Sequence, residues 1–151
     1  MIKIKLRKFS KYQEGDKEAF RYSQKGTIGR IEVRENLPQV ISGPNEGVTP
    51  DLIFNPHGFP SRQTMGILIE GIMTKAALYN GKRVNVSAFR DIDIEEAKRT
   101  LEANDMDPNG YEEMKIPGQP EPKKVFFVPL YVQALKHHVM DKISMRSSGM
   151  K

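Results

Sequence analysis

Two lysines, Lys17 and Lys25, stand eight residues apart in Gly15-Asp16-Lys17-Glu18-Ala19-Phe20-Arg21-Tyr22-Ser23-Gln24-Lys25-Gly26. If this stretch folds back on itself, both ammonium groups can reach one anion. Lysine is a compact charge with rotatable donors and can follow a phosphate that shifts during a reaction. A second candidate is Arg62, in Thr49-Pro50-Asp51-Leu52-Ile53-Phe54-Asn55-Pro56-His57-Gly58-Phe59-Pro60-Ser61-Arg62-Gln63-Thr64. The prolines here fix the chain before a helix with Ser61 at its N-cap, which puts Arg62 in the first turn. A guanidinium opposes the helix dipole there, unless it serves an anion bound nearby through two donors at once. The third stretch is Leu135-Lys136-His137-His138-Val139-Met140-Asp141-Lys142-Ile143-Ser144-Met145-Arg146. On a helix Lys142 and Arg146 share a face, with His137 roughly aligned, as a phosphate-facing stripe requires. Adjacent His137 and His138 point about 100° apart on a helix and make a poor chelating pair. Charge alone does not separate any of these from solvated lysines, a surface ion pair or a solvated helix face.

The chain has 151 residues, no cysteine and a net charge of +5. That length suits one ordinary domain or a section of one. The lack of cysteine excludes disulfides, thiolate nucleophiles and cysteine-ligated metal, and is compatible with a reducing compartment. The N-terminal MIKIKLRKFSKY is charged throughout and no apolar run approaches a membrane span, so an intracellular protein is expected. Residues 1–25 hold eight Lys or Arg against three acids, and Lys136–Lys151 hold four against Asp141. The interior sums to −3, its acids concentrated between Asp91 and Glu113. Two basic ends brought onto one face would attract a polyanion through phosphate contacts and counterion release. No P-loop is present: Gly81-Lys82-Arg83 lacks the preceding glycine and the following hydroxyl.

The elements expected to position these residues follow from periodicity. Ile2, Ile4 and Leu6 alternating with Lys3, Lys5 and Arg7 predict a strand, Gly26–Val33 a second and Asp51–Phe54 a third. Met65, Leu68, Ile69, Ile72, Met73 and Ala76 predict a helix face closed by Gly81, and Asp93–Ala103 a second helix with acids in its first turn. The proline-rich Asp105–Lys124 reads as loop or hairpin, Val125–Val128 as a buried strand, and Leu130–Lys142 as a C-terminal helix. The fold class expected is α+β with a partial β-barrel, residues 1–60 mainly β and 61–151 mixed helices, hairpin and C-terminal helix.

In order and spacing the three stretches resemble motifs of the second-largest subunit of cellular and large-virus multisubunit RNA polymerases, called β in bacteria. Gly15–Gly26 matches G-D-K-x-x-x-R-x-x-[QN]-K-G, Pro50–Arg62 matches P-D-[IL]-[IV]-x-N-P-x-x-[IVF]-P-S-R, and Leu135–Arg146 matches L-x-H-x-V-x-D-K-x-x-x-R. The chain departs from the usual pattern at Tyr22-Ser23, where His-Gly is common, at Met140 and at Ser144. Asn55-Pro56-His57 and the Gln24–Gly29 run are closer to eukaryotic, archaeal or large-virus members than to bacterial ones, and a viral or otherwise divergent source is expected.

The resemblance implies a section of the hybrid-binding region, part of a double-psi β-barrel beside the active centre of a DNA-directed RNA polymerase. Lys17 and Lys25 would contact the RNA 3′-terminal phosphates and the incoming nucleotide. Arg62 would contact the triphosphate, and His137, Lys142 and Arg146 would lie near the RNA–DNA hybrid. Mg²⁺ would be held mainly by the largest subunit, with none bound by this chain alone. The implied partners are the remainder of the second-largest subunit, the largest subunit, DNA template, RNA and NTPs, with no membrane. Subunits of this family run to about a thousand residues, so 151 would be one section of such a chain. The competing readings are a free-standing basic nucleic-acid-binding module without catalysis, and a metal-dependent hydrolase using His57, His137 and His138.

Overall fold

The computed structural model describes residues 1–87 and 89–149. Its elements, in chain order, are β1 (Lys17–Phe20), β2 (Lys25–Thr27), β3 (Gln39–Val40), α1 (Gly58–Arg62), α2 (Gly66–Asn80), α3 (Ile94–Glu102), β4 (Tyr111–Lys115), β5 (Lys123–Phe126) and β6 (Val132–Ala134). Single 3₁₀ turns occur at Arg34–Asn36 and Val139–Lys142. The strands form two antiparallel three-stranded sheets, ordered β2-β1-β6 and β3-β4-β5, so the class is α+β. The chain divides into two compact units, Met1–Ile31 with Val132–Lys151, and Glu32–Tyr131.

The first unit is built on the β1–β2 hairpin. Lys17 lies opposite Thr27 and Ala19 opposite Lys25, while β6 pairs along the other edge of β1 with Glu18 opposite Ala134. The hairpin turns through Tyr22 and Ser23, both left-handed at φ 63° and 57°. Past β6 the chain continues antiparallel to the head of β1, where Leu135 N–H donates to the Lys17 carbonyl at 2.9 Å.

Asp16 then fastens that C-terminal segment. Its Oδ1 accepts the Val139 N–H at 2.8 Å and its Oδ2 the Gln13 N–H at 3.1 Å, with His138 Nδ1 3.7 Å from Oδ2. Asp16 is only 4% exposed. The Val139 N–H does most to hold its carboxyl below the ordinary value of 3.8; burial pushes the other way, and the Gln13 N–H and the His138 imidazole reinforce the lowering. Gly15 sits at φ 97°, and a Cβ there would come within 2.9 Å of Val139 Cγ2. Both its conformation and its contact therefore require glycine. Burial has the opposite effect on Glu18, raising its carboxyl above the ordinary 4.5.

The second unit packs α2 against α3 around Met73, Ala76, Ala97, Leu101 and Met106, with Ile69 and Ile72 flanking. Asp93 caps α3 by accepting the Glu96 N–H at 2.9 Å, with Glu95 and Glu96 in the first turn. Gly81 ends α2 in a left-handed conformation at φ 65°, as its position in the sequence predicts. A Cβ at Gly71 would collide with the Val128 side chain, so a glycine lets the chain beyond β5 approach α2. Glu112 and Met114, alternating on β4, are buried. Lys75, 3% exposed, points from α2 at Glu112 Oε1, 2.6 Å away, and also donates to the Phe127 carbonyl at 3.1 Å. Asn45 Nδ2 donates to the same Glu112 oxygen at 2.8 Å, and Tyr79 Oη donates to Asn45 Oδ1 at 2.6 Å.

Several elements differ from the sequence expectations, each for a local reason. Ile2, Ile4 and Leu6 alternate as a strand would, but no neighbouring strand pairs with them among the described residues, and they are 91%, 79% and 90% exposed. The run Gly26–Val33 is a strand only as far as Thr27, where its pairing with β1 ends. Asp51–Phe54 forms no strand; Phe54 instead packs edge-on against Phe59 at 5.4 Å. Leu130–Lys142 is not helical, because Val132–Ala134 pairs with β1 and His138 is extended at φ −79° and ψ 140° where Asp16 holds Val139. Val125–Val128 contributes only its first two residues to β5, half-buried. The α2 face is broader than its apolar spacing implied: Met65 is exposed, while Ile67, Glu70, Gly71 and Lys75 are buried.

Two outcomes follow. Lys75→Ala strands a buried carboxylate and should destabilise the second unit by about 3–5 kcal/mol, whereas Lys75→Met combined with Glu112→Leu should recover most of the loss. Urea titration followed by circular dichroism measures both. Because the Asp16 pKa is lowered on folding, the unfolded chain takes up that proton first. Its stabilisation is thus complete above pH 3.8 and is lost as pH falls through the lower folded value. The stability advantage of the native chain over Asp16→Asn should therefore be present at pH 7 and shrink below pH 3.8.

Candidate nucleic-acid interface

Side chains alternate along a strand, and directly opposed residues of an antiparallel pair share a face. Lys17 and Ala19 on β1, with their partners Thr27 and Lys25 on β2, therefore line one face of the hairpin. Lys17 and Lys25 are diagonal neighbours, a relation that spans roughly 7–8 Å in antiparallel sheets. The other two corners of that face are the small side chains of Ala19 and Thr27, so two flexible stems can bring their ammonium groups to one anion. Neither lysine's ammonium group has a hydrogen bond or ion pair among the described residues. Lys17 is half-buried and Lys25 exposed. Gln133, opposite Ala19 on β6, adds an uncharged amide to the same face. Sequence reasoning did not single out Thr27 or Gln133. The parity of Thr27 with Lys25 could have found the first, but Gln133 needs the β1–β6 register, which no local pattern encodes.

The segment latched by Asp16 carries the C-terminal candidates. His137 is exposed and lies just before the 3₁₀ turn Val139–Lys142, which ends on the exposed Lys142. Arg146 lies beyond the turn and donates from Nε to the Ser148 carbonyl at 3.3 Å. The expected helical stripe of Lys142 and Arg146 is thus not formed. The first unit still gathers Lys17, Lys25 and the segment with His137 and Lys142 around the head of β1. It holds thirteen Lys and Arg against four acids, a net charge of +9, whereas the second unit, with eleven against fifteen, carries −4. Such a concentration of charge favours a polyanion.

Arg62 belongs to the second unit and closes α1 as its last residue. Ser61 is not the N-cap of a long helix; it lies inside α1 and donates from Oγ to the Gly58 carbonyl at 3.2 Å. Gln63, left-handed at φ 55°, ends this turn before α2 begins at Gly66. A cation at a helix C-terminus is favoured by the dipole, so the argument that Arg62 is placed against it does not hold. The Arg62 guanidinium folds back toward Gly58, with Nη1 3.3 Å from the position a Cβ would take. His57, preceding α1, donates its N–H to Asn55 Oδ1 at 3.0 Å. Among the described residues no three His, Asp or Glu side chains are grouped to hold a metal ion, and no helix is long and apolar enough to cross a membrane.

Comparison with known proteins gives this geometry its context. The family model for RNA polymerase Rpb2, domain 6, matches residues 1–151. DNA-directed RNA polymerase II subunit 2 of Arabidopsis thaliana is 40% identical over 150 residues, covering 98% of this chain and 12% of that protein. Subunit RPB2 of Eremothecium gossypii is 39% identical with the same coverage. The RNA polymerase III subunit RPC2 of Saccharomyces cerevisiae is 36% identical over 151 residues, 99% of this chain and 13% of that protein. The chain spans about an eighth of the length of these relatives. With the family model matched over residues 1–151, the chain belongs to the second-largest-subunit family of multisubunit RNA polymerases, as a section of the domain 6 type.

Proposed function

We propose that this chain acts as the section of a DNA-directed RNA polymerase that holds the RNA 3′ end, the RNA–DNA hybrid and the incoming nucleotide during template-directed synthesis. One observation carries the reading: Lys17 and Lys25 stand diagonally on one hairpin face, their ammonium groups without a protein partner among the described residues, in a unit of net charge +9. Two ammonium groups so placed suit a chain of phosphates better than a single carboxylate. Lys17 and Lys25 contact the RNA 3′-terminal phosphates, and Lys25 the incoming nucleotide as well. His137 and Lys142 lie along the hybrid backbone, with Arg146 beside them.

Arg62 contacts the triphosphate, where a guanidinium grips two oxygens and stabilises the charge that grows on the leaving pyrophosphate. Mg²⁺ supplies Lewis-acid stabilisation of the transferring phosphoryl group when bound, and in this reading acids of the largest subunit hold it. The residues of this chain bind and orient phosphates around that centre. The first unit completes a double-psi β-barrel with other sections of the subunit, the exposed alternation of Ile2, Ile4 and Leu6 giving it a further strand to contribute. The working partners are the rest of the second-largest subunit, the largest subunit, the DNA template, RNA and NTPs.

Lys25→Ala or Arg62→Ala, in the assembled polymerase, should slow single-nucleotide addition by about 10²-fold or more while subunits still co-purify. Quench-flow extension of a primed RNA measures the rate. Wild-type rates in both variants would contradict the roles given to these residues.

A further inference from the structure

Asp16 stands among the candidate cations without being one. Its two oxygens take the Val139 and Gln13 N–H groups at 2.8 and 3.1 Å and face the His138 imidazole at 3.7 Å. Val139 opens the 3₁₀ turn that ends on Lys142, and Asp16 immediately precedes Lys17 at the head of β1. Two further contacts join the same stretches, the Leu135 N–H to the Lys17 carbonyl at 2.9 Å and the Val139 side chain seated over Gly15. Met140 through Lys142 are otherwise exposed. A turn that hung free would have to be ordered at the moment of binding, at a cost in affinity.

We infer that Asp16 is a positioning residue for nucleotidyl transfer. It latches the turn carrying Lys142 to the strand carrying Lys17, so that cations from distant parts of the chain act on one polyanion; the latch itself joins residues 123 apart. The inference rests on the phosphate-binding reading above and assigns Asp16 no contact with nucleic acid. Its effect has a sign of its own. Judged by charge alone, an acid among cations repels a polyanion, and removing it should strengthen binding. Judged by position, removing it should weaken the action of Lys142.

The test uses the assembled polymerase and the rate of single-nucleotide addition. Asp16→Ala should slow addition about tenfold, the loss expected for a hydrogen bond to a charged group, and Asp16→Asn, which keeps an acceptor for Val139, should restore most of it. Val139→Pro is the more direct variant, since it deletes the N–H that Asp16 holds, leaves the Asp16 charge in place and keeps an apolar side chain at position 139. Proline suits the first position of the turn, and the extended His138 suits the residue before a proline. It too should slow addition about tenfold. Neither Asp16→Ala nor Val139→Pro should compound with Lys142→Ala beyond about twofold, because each acts through Lys142.

Wild-type or faster addition by Val139→Pro, or losses that multiply with Lys142→Ala, would overturn the inference; where Asp16→Ala prevents assembly, Val139→Pro decides. Should Lys17→Ala and Lys142→Ala both extend at the wild-type rate, the phosphate-binding reading itself fails. If those two are slow and the Val139→Pro loss multiplies, only the role of Asp16 falls.

Discussion

One buried carboxylate organises the first unit. Asp16 accepts backbone N–H groups from Gln13 and Val139, which lie on opposite sides of a hundred-residue excursion through the second unit. A carboxylate offers more acceptor capacity than a neutral side chain, and hydrogen bonds to a charged group are roughly twice as strong as neutral ones. Gly15 beside it makes room for Val139, and Lys17 after it begins the strand. Three successive residues thus have three separate tasks: close approach, anchorage and presentation of charge. Beyond the three-residue β6, Asp16 gives the C-terminal segment a second point of attachment at the head of β1.

The two units use charge in opposite ways. In the first, lysines stand on a sheet face with their ammonium groups unengaged among the described residues, and the acid nearby is spent on backbone donors. In the second, Lys75 is buried and shares Glu112 with Asn45, tying α2 to β4 and to the loop after β3. A buried ion pair adds little net stability over an apolar pair of the same shape, but it fixes which surfaces meet. The same residue type therefore serves packing at position 75 and phosphate recognition, in the reading proposed, at positions 17 and 25. Burial and partners distinguish the two; composition does not.

What could be read from the chain beforehand follows the range of the forces involved. Local signals were legible. Asp93 with its following acids marked the start of α3, Gly81 marked the end of α2, and the prolines between Asp105 and Lys124 announced the break between β4 and β5. The lysines of the hairpin were legible as candidates, and the motif order carried the family. Non-local pairing was not legible. Nothing in Tyr131–Lys142 says that its partner is β1, and its helix-like periodicity loses to strand pairing and to the Asp16 latch. Asp16 itself read as one letter of a motif, its use as an anchor being visible only once Val139 is brought beside it. Arg62 was expected in the first turn of the helix capped by Ser61; it instead ends the separate, earlier turn α1, because Gln63 adopts a left-handed conformation no spacing rule anticipates and α2 starts only at Gly66. Ser23 raises a similar point: a non-glycine residue at φ 57° carries strain at the hairpin tip that the sequence alone leaves invisible.

The central claim is that the β1–β2 face meets the growing end of the RNA. Affinity labelling tests it most directly: an RNA with an amine-reactive group at its 3′ end, extended in place within the assembled polymerase, followed by mapping of the modified peptides. The account predicts label on Lys17 and Lys25. Label on other lysines of the assembly with Lys17 and Lys25 unmodified would contradict it.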